Sequence, residues 1–203
     1  MFLLPFLLGF IFSYIGSISP SMLTITAVKI SIEKNKTAAK RFSLGIAVVV
    51  IFQSFIALYF LKIILNNDDI LELIQKTAII VFALLSFYFF REEFKEKQEI
   101  VASKTTKNEF LSGVFLSLIN LFSIPFYVGI AAFLNQSNWL FLDITSVCLF
   151  SLGSFIGTYV ILYHYILFAD KMKSKIEKFS RYFNYILGGI TGIVAIISLL
   201  KML

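Results

Sequence analysis

Apolar residues in this chain fall into six long runs divided by polar connectors. Residues 2–28 form the first run, with Gly9 and Gly16 inside it and Pro20 following Ser19. The second, 42–65, has a single amide in mid-span, Gln53. A third is expected from near Ile70 to Phe90, although Glu72, Gln75 and Lys76 leave only 77–90 uninterrupted, which suits a tilted helix or one that starts at the interface. The fourth, 110–134, carries Asn120, Ser123 and Pro125 near its middle. The fifth runs from Trp139 to Ala169, and the sixth, 183–203, has Gly188, Gly189 and Gly192 to allow close helix packing. About 20 apolar residues suffice for a helix to cross the hydrocarbon. The expected fold class is therefore an all-α integral membrane protein with six transmembrane helices.

The fourth run is the one that points to a site. Proline removes a backbone donor and clashes with the carbonyl four residues back. Backbone groups freed in this way cannot face lipid and must line protein or a water-filled cavity. A span broken in mid-membrane is thus a candidate site.

Composition agrees with the membrane reading. The chain is 59% hydrophobic and 15% charged, with 24 Phe among 203 residues. Soluble domains lie near 45–50% and 25%. One Cys (Cys148) and one His (His164) exclude a disulfide framework and a Cys/His metal cluster. No HExxH, DxxD-type or phosphate-loop pattern occurs, so neither an enzyme nor a cofactor is expected. The first lysine is Lys29, so the N-terminus lacks the basic region of a cleavable signal peptide.

The net charge of +6 is topological. Connectors 29–41, 91–109 and 170–181 hold five Lys/Arg each, fifteen of the eighteen, whereas the turns at 66–70 and 135–138 hold none. Positive-inside bias places the three basic connectors in the cytoplasm and both termini outside. No nucleic-acid partner is needed; the charge runs suit water and anionic lipid.

Two sets of matches suggest an internal duplication. Phe42-Ser43-Leu44-Gly45 recurs as Phe150-Ser151-Leu152-Gly153, 108 positions later. Phe6 and Gly9 match Phe110 and Gly113 at an offset of 104, and Ser19-Pro20 aligns loosely with Ser123-Ile124-Pro125. The expected organisation is one membrane domain over 1–203, with a first repeat at 1–90, a connector at 91–109 and a second repeat at 110–203. Three spans per repeat make the second half enter from the opposite side. Such inverted repeats are common in secondary transporters, where interrupted spans at matching positions mark the binding site.

Gly16, Ser19, Pro20 and Ser21 in the first span and Asn120, Ser123 and Pro125 in the fourth are the candidate solute-binding residues, with Gln53 beside them. The blander alternatives are a proline kink whose freed carbonyl is satisfied by a serine or Thr24, and amides that simply join neighbouring helices. Tyr127, two residues past Pro125, is in a position to point into a cavity, which in a chain this aromatic is near the base rate. Asp143, about one turn into the fifth span, and His164, near its cytoplasmic end, are candidates for proton coupling. An interfacial aspartate and a structural histidine are the competing readings.

These features resemble the lysine exporter (LysE/RhtB-type) translocators, small six-helix proteins of the bacterial inner membrane. The resemblance covers nearly the whole chain. It rests on Ser19-Pro20-Ser21, the short basic connector, Ser43-Leu44-Gly45, the trio Phe110, Gly113 and Asn120, and the Gly-rich last span. The family pattern has Pro-Gly-Pro in the first span and Asn-Pro in the fourth; here only Pro20 remains of the former, and the fourth-span proline is displaced to Pro125. The resemblance implies export of an amino acid or related metabolite, drawn by the proton gradient, from a multi-pass protein of the bacterial cytoplasmic membrane. Six short helices also leave surface for a homodimer. A non-transporting scaffold or regulatory protein on the same fold is the other reading, since phenylalanines can fill the space that a solute cavity needs.

Overall fold

The computed structural model describes residues 3–18, 21–66, 87, 108–120, 122–170, 189, 193 and 196. The described helices are α1 (Leu3–Gly16), α2 (Met22–Glu33), α3 (Lys36–Leu65), α4 (Glu109–Ile119), α5 (Ser123–Gln136) and α6 (Ile144–Leu167). The predicted spans at 70–90 and 183–203 lie almost entirely outside the described residues, as do Ser19, Pro20 and most of the connectors at 91–109 and 170–181.

Helix α3 begins six residues before the run from which it was predicted. Asn35 supplies the reason: its side chain accepts the N–H of Ala38 at 2.8 Å, and helix-forming Lys, Ala and Arg follow. Its 30 residues make a rod about 45 Å long, which overruns a hydrocarbon core of about 30 Å. Helix α6 starts later than its run. Trp139 to Leu142 stay outside it, because Trp139 and Leu140 both donate their N–H groups to the carbonyl of Leu134. Asp143 is consequently not one turn inside the span. It is the residue just before the helix, and it accepts the N–H of Ser146 at 3.0 Å.

Both of these spans are interrupted, the fourth not where its proline alone would put the break. α1 stops at Gly16, and α2 restarts at Met22 behind Ser21, whose hydroxyl accepts the N–H of Thr24. α4 stops at Ile119 and α5 restarts at Ser123, inclined by 65°. Pro125 is thus the third residue of α5, in a first turn whose N–H groups have no helical partner in any case. Pro125 is tolerated by the restart. The interruption itself falls at Asn120 to Phe122. α3 and α6 are each long and apolar enough to cross a membrane, and α4 with α5 qualifies as a third, bent span.

The helices pair through glycine. A Cβ on Gly9 would strike the carbonyl of Phe150, and one on Gly153 would strike the carbonyl of Phe6. Gly157 meets the carbonyl of Phe10 further along, so α1 and α6 run side by side in the same direction. α3 and α4 repeat the arrangement: Gly45 faces the carbonyl of Phe110, and Gly113 faces the carbonyl of Phe42. Small residues let membrane helices approach backbone to backbone, where van der Waals contact drives association without a hydrophobic term. The phenylalanines that open the duplicated four-residue motif, Phe42 and Phe150, are the two largest fully buried side chains described. Outward-facing Phe52, Ile56, Phe60 and Ile63 give α3 an apolar stripe suited to lipid.

Candidate functional site

The first joint is built from hydroxyls. Ser13, one turn before α1 ends, is fully buried and lies 2.8 Å from the hydroxyl of Tyr127 on α5 and 2.7 Å from that of Thr158 on α6. Its own proton goes to the carbonyl of Ser154 at 2.9 Å. A serine oxygen has one proton and two lone pairs, so Tyr127 and Thr158 both donate to it and its capacity is filled. Ser154 adds a longer bond from its hydroxyl to the carbonyl of Gly9. The Tyr127 ring also meets Phe126 and Phe150 edge to face.

The second joint is built from amides. Gln53, 5% exposed, donates from Nε2 to the carbonyls of Ser117 at 2.9 Å and Asn120 at 3.3 Å. Those carbonyls belong to the frayed end of α4: the first also takes the N–H of Asn120, the second that of Ser123. Asn120 turns its side chain onto Ser123, with Nδ2 3.2 Å from the hydroxyl. Ser117 itself reaches the carbonyl of Ile46 at 3.5 Å. Gln53 Oε1 is left buried with no partner among the described residues. An acceptor in that condition forfeits about 1–3 kcal/mol.

The two breaks adjoin. Gly16 lies against the ring of Phe126, next to Pro125, leaving no room there for a Cβ. The carbonyl of Ile18, in the first break, accepts the hydroxyl of Tyr165 from α6. Of the residues expected to bind solute, Asn120, Ser123 and Gln53 come together at the second joint, and Gly16 stands at the first. Ser21 is a helix cap, and Pro125 is exposed on α5.

The coupling candidates are apart from each other. His164 Nδ1 is 3.2 Å from the hydroxyl of Tyr14 on α1, close to the first break. Asp143 caps α6 at the opposite end, where the Ser146 hydroxyl and N–H hold its carboxyl below the usual aspartate range. No group of three or more His, Cys, Asp or Glu suitable for a metal occurs among the described residues.

Sequence alone gives Ser13, Ser154, Thr158 and Tyr165 little to distinguish them. One signal was available: Ser13 and Ser117 are separated by the same 104 positions as the Phe6/Phe110 and Gly9/Gly113 pairs. Both donate to a carbonyl of the helix beside them, Ser154 in one case and Ile46 in the other.

Comparison with known proteins adds a single finding. Neither the curated proteins nor the solved structures contain a match. The family model for LysE type translocators, however, matches residues 14–201, nearly the whole chain and both breaks. By that match the chain belongs to the LysE type translocator family.

Proposed function

We propose that this protein is a secondary transporter exporting a small polar metabolite, an amino acid or a derivative of one, across the bacterial cytoplasmic membrane. The observation that carries the reading is the meeting of the two interrupted spans, with Gly16 on Phe126 and Ser13 bonded to Tyr127. Family membership supplies translocation, and the breaks supply the polar, non-helical backbone that binds solutes and ions in transporters. The solute binds where the first and fourth spans break, at Gly16, Ser19, Pro20, Ser21, Asn120, Ser123 and Pro125, with Gln53 alongside.

Six spans in two inverted three-helix repeats fit the pairings. α1 and α6 run parallel, as do α3 and α4, and the glycine contacts are reciprocal in each pair. A return crossing between α3 and α4 is what their common direction calls for. The placement of the basic connectors is supported by two contacts. Lys34 bonds Glu109 at 2.9 Å, and Lys40 sits 4.8 Å from the centre of the Tyr163 ring near the end of α6. These bring residues from near all three cationic connectors to one side, as the proposed topology with both termini outside requires. His164 is the better placed coupling residue, beside the first break, while Asp143 serves α6 as a cap. A homodimer in the lipid remains part of the proposal.

Efflux from bacterial cells overexpressing the chain, screened across amino acids, is the test. Efflux above the empty vector, lowered by Asn120→Ala, is the expected result. Wild-type efflux no better than the empty vector for every solute would instead favour a scaffold, in which Phe126 and its neighbours fill the joint between the breaks.

A further inference from the structure

The unpartnered oxygen of Gln53 is fixed in place, and that gives it a use. Nε2 spends its donors on two carbonyls, Ser117 at 2.9 Å and Asn120 at 3.3 Å. Turning the amide over would press Oε1 against those same two oxygens, so the orientation follows from the hydrogen bonds. The carbonyls are themselves filled, each taking a backbone N–H as well. What remains is one acceptor, buried on α3 and held beside the C-terminal end of α4. That end carries the negative pole of the helix dipole. A neutral acceptor in that field suits a hydrogen-bond donor with positive charge and repels an anion.

Resting on the export reading above, we infer that Gln53 Oε1 is the acceptor for the ammonium group of the transported solute. Recognition at this point is by an uncharged oxygen. No carboxylate is required, and the release step therefore breaks no ion pair. Gln53 also has a second task, tying down the freed carbonyls of the fourth-span break through Nε2. The two tasks reside on different atoms of one side chain, so they can be tested apart.

The full chain in proteoliposomes would be tested for counterflow with two probes. One is an equimolar mixture of the twenty common L-amino acids; the other is a set of 2-hydroxy acids bearing matching side chains. In the wild type, amino acids should exchange at least tenfold faster than their hydroxy counterparts. Gln53→Lys keeps donors for the two carbonyls but removes the acceptor; it should raise KM for the amino acids by tenfold or more and erase the preference over hydroxy acids. Gln53→Met, which removes both functions, should lose the preference as well and in addition lower the melting temperature. Equal exchange of the two sets by the wild type overturns the inference while leaving export intact. So does an unaltered preference in Gln53→Lys, which would mean that Oε1 holds only a water. Wild-type flux that is lost when sodium is replaced by choline, with Gln53→Lys insensitive to the change, would assign the oxygen to a sodium ion and also overturn it. No flux of either set overturns the export reading together with this one.

Discussion

The α1–α6 and α3–α4 pairs share one frame and differ in what fills it. Each has a phenylalanine followed three residues later by a glycine on both helices, and each glycine lies on the partner's carbonyl. At the same height each carries a serine, Ser13 or Ser117, reaching across to the neighbouring helix. Beyond that the pairs part. Ser13 sits in a closed set of hydroxyls in which every proton has an acceptor, and that set binds α1 to α5 and α6. Ser117 has one long bond, and the work of holding the break passes to Gln53, which keeps an acceptor in reserve. A satisfied network rigidifies, whereas an unpaired buried acceptor is costly until a donor reaches it. The first joint is thus a closed clasp, and the second, with its spare acceptor, fits the receptor role proposed above.

The largest effects should come from the shared frame. Gly153→Ala and Gly113→Ala each drive a methyl into a main-chain carbonyl that cannot move aside as a side chain does. Each should cost about 3 kcal/mol or abolish folding, read as thermal unfolding of the protein in detergent. A mild response from one pair alone would show that only the other holds the helices at backbone distance. Gly129→Ala is the control, because nothing lies within 4 Å of the added Cβ. On helix propensity it should stabilise α5 by up to about 1 kcal/mol.

Ser13→Ala against Ser117→Ala tests the difference between the joints. Removing Ser13 strands two hydroxyl donors, so about 1–3 kcal/mol is expected, against about 0.5 kcal/mol or less for Ser117, whose bond is 3.5 Å long. Equal losses would break the distinction between clasp and receptor. Tyr127→Phe removes a single donor and should cost about 1 kcal/mol, with the ring packing intact.

The smallest effect belongs to Asp143, outside both joints. Its folded carboxyl is depressed by the Ser146 hydroxyl and N–H, so its stabilisation is present above the unfolded value of about 3.9 and fades as pH falls through the folded one. Asp143→Asn keeps a cap without the charge and should flatten the loss of thermal stability below about pH 4. An unchanged acid limb would separate the cap from the pH response. Because the carboxylate is exposed, the difference should be slight.

Much of this was legible in the residues. The duplicated Phe and Gly positions announced themselves, and the fourth span was marked as broken. What stayed hidden was the purpose of the repeat. A phenylalanine and a glycine three apart are common in any apolar helix, and their reciprocity appears only when the partner helix, over a hundred residues away, is in place. Pro125 looks like the breaker because proline removes a donor, but the first turn of a helix has no use for that donor. Asn120, with short polar bonds of its own to make, ends α4 instead. The apolar run puts Asp143 too deep, because such runs show where a span fits, not where its first hydrogen bond forms. Ser13 escaped notice since one serine in a greasy helix is ordinary, and its worth depends on Tyr127, Ser154 and Thr158 converging on it.

The Ser13 clasp also sets the order of assembly. Ser13 and the Ser154 carbonyl are 141 residues apart along the chain. At ribosomal speeds of about 5–20 residues per second, α1 waits roughly 7–28 s in the bilayer before α6 is synthesised. During that interval Gly9 has no backbone to meet and Ser13 no acceptor across the helix pair. α1 is made long before it is secured, so nascent chains cut short before α6 offer the cell's membrane proteases an unclasped helix.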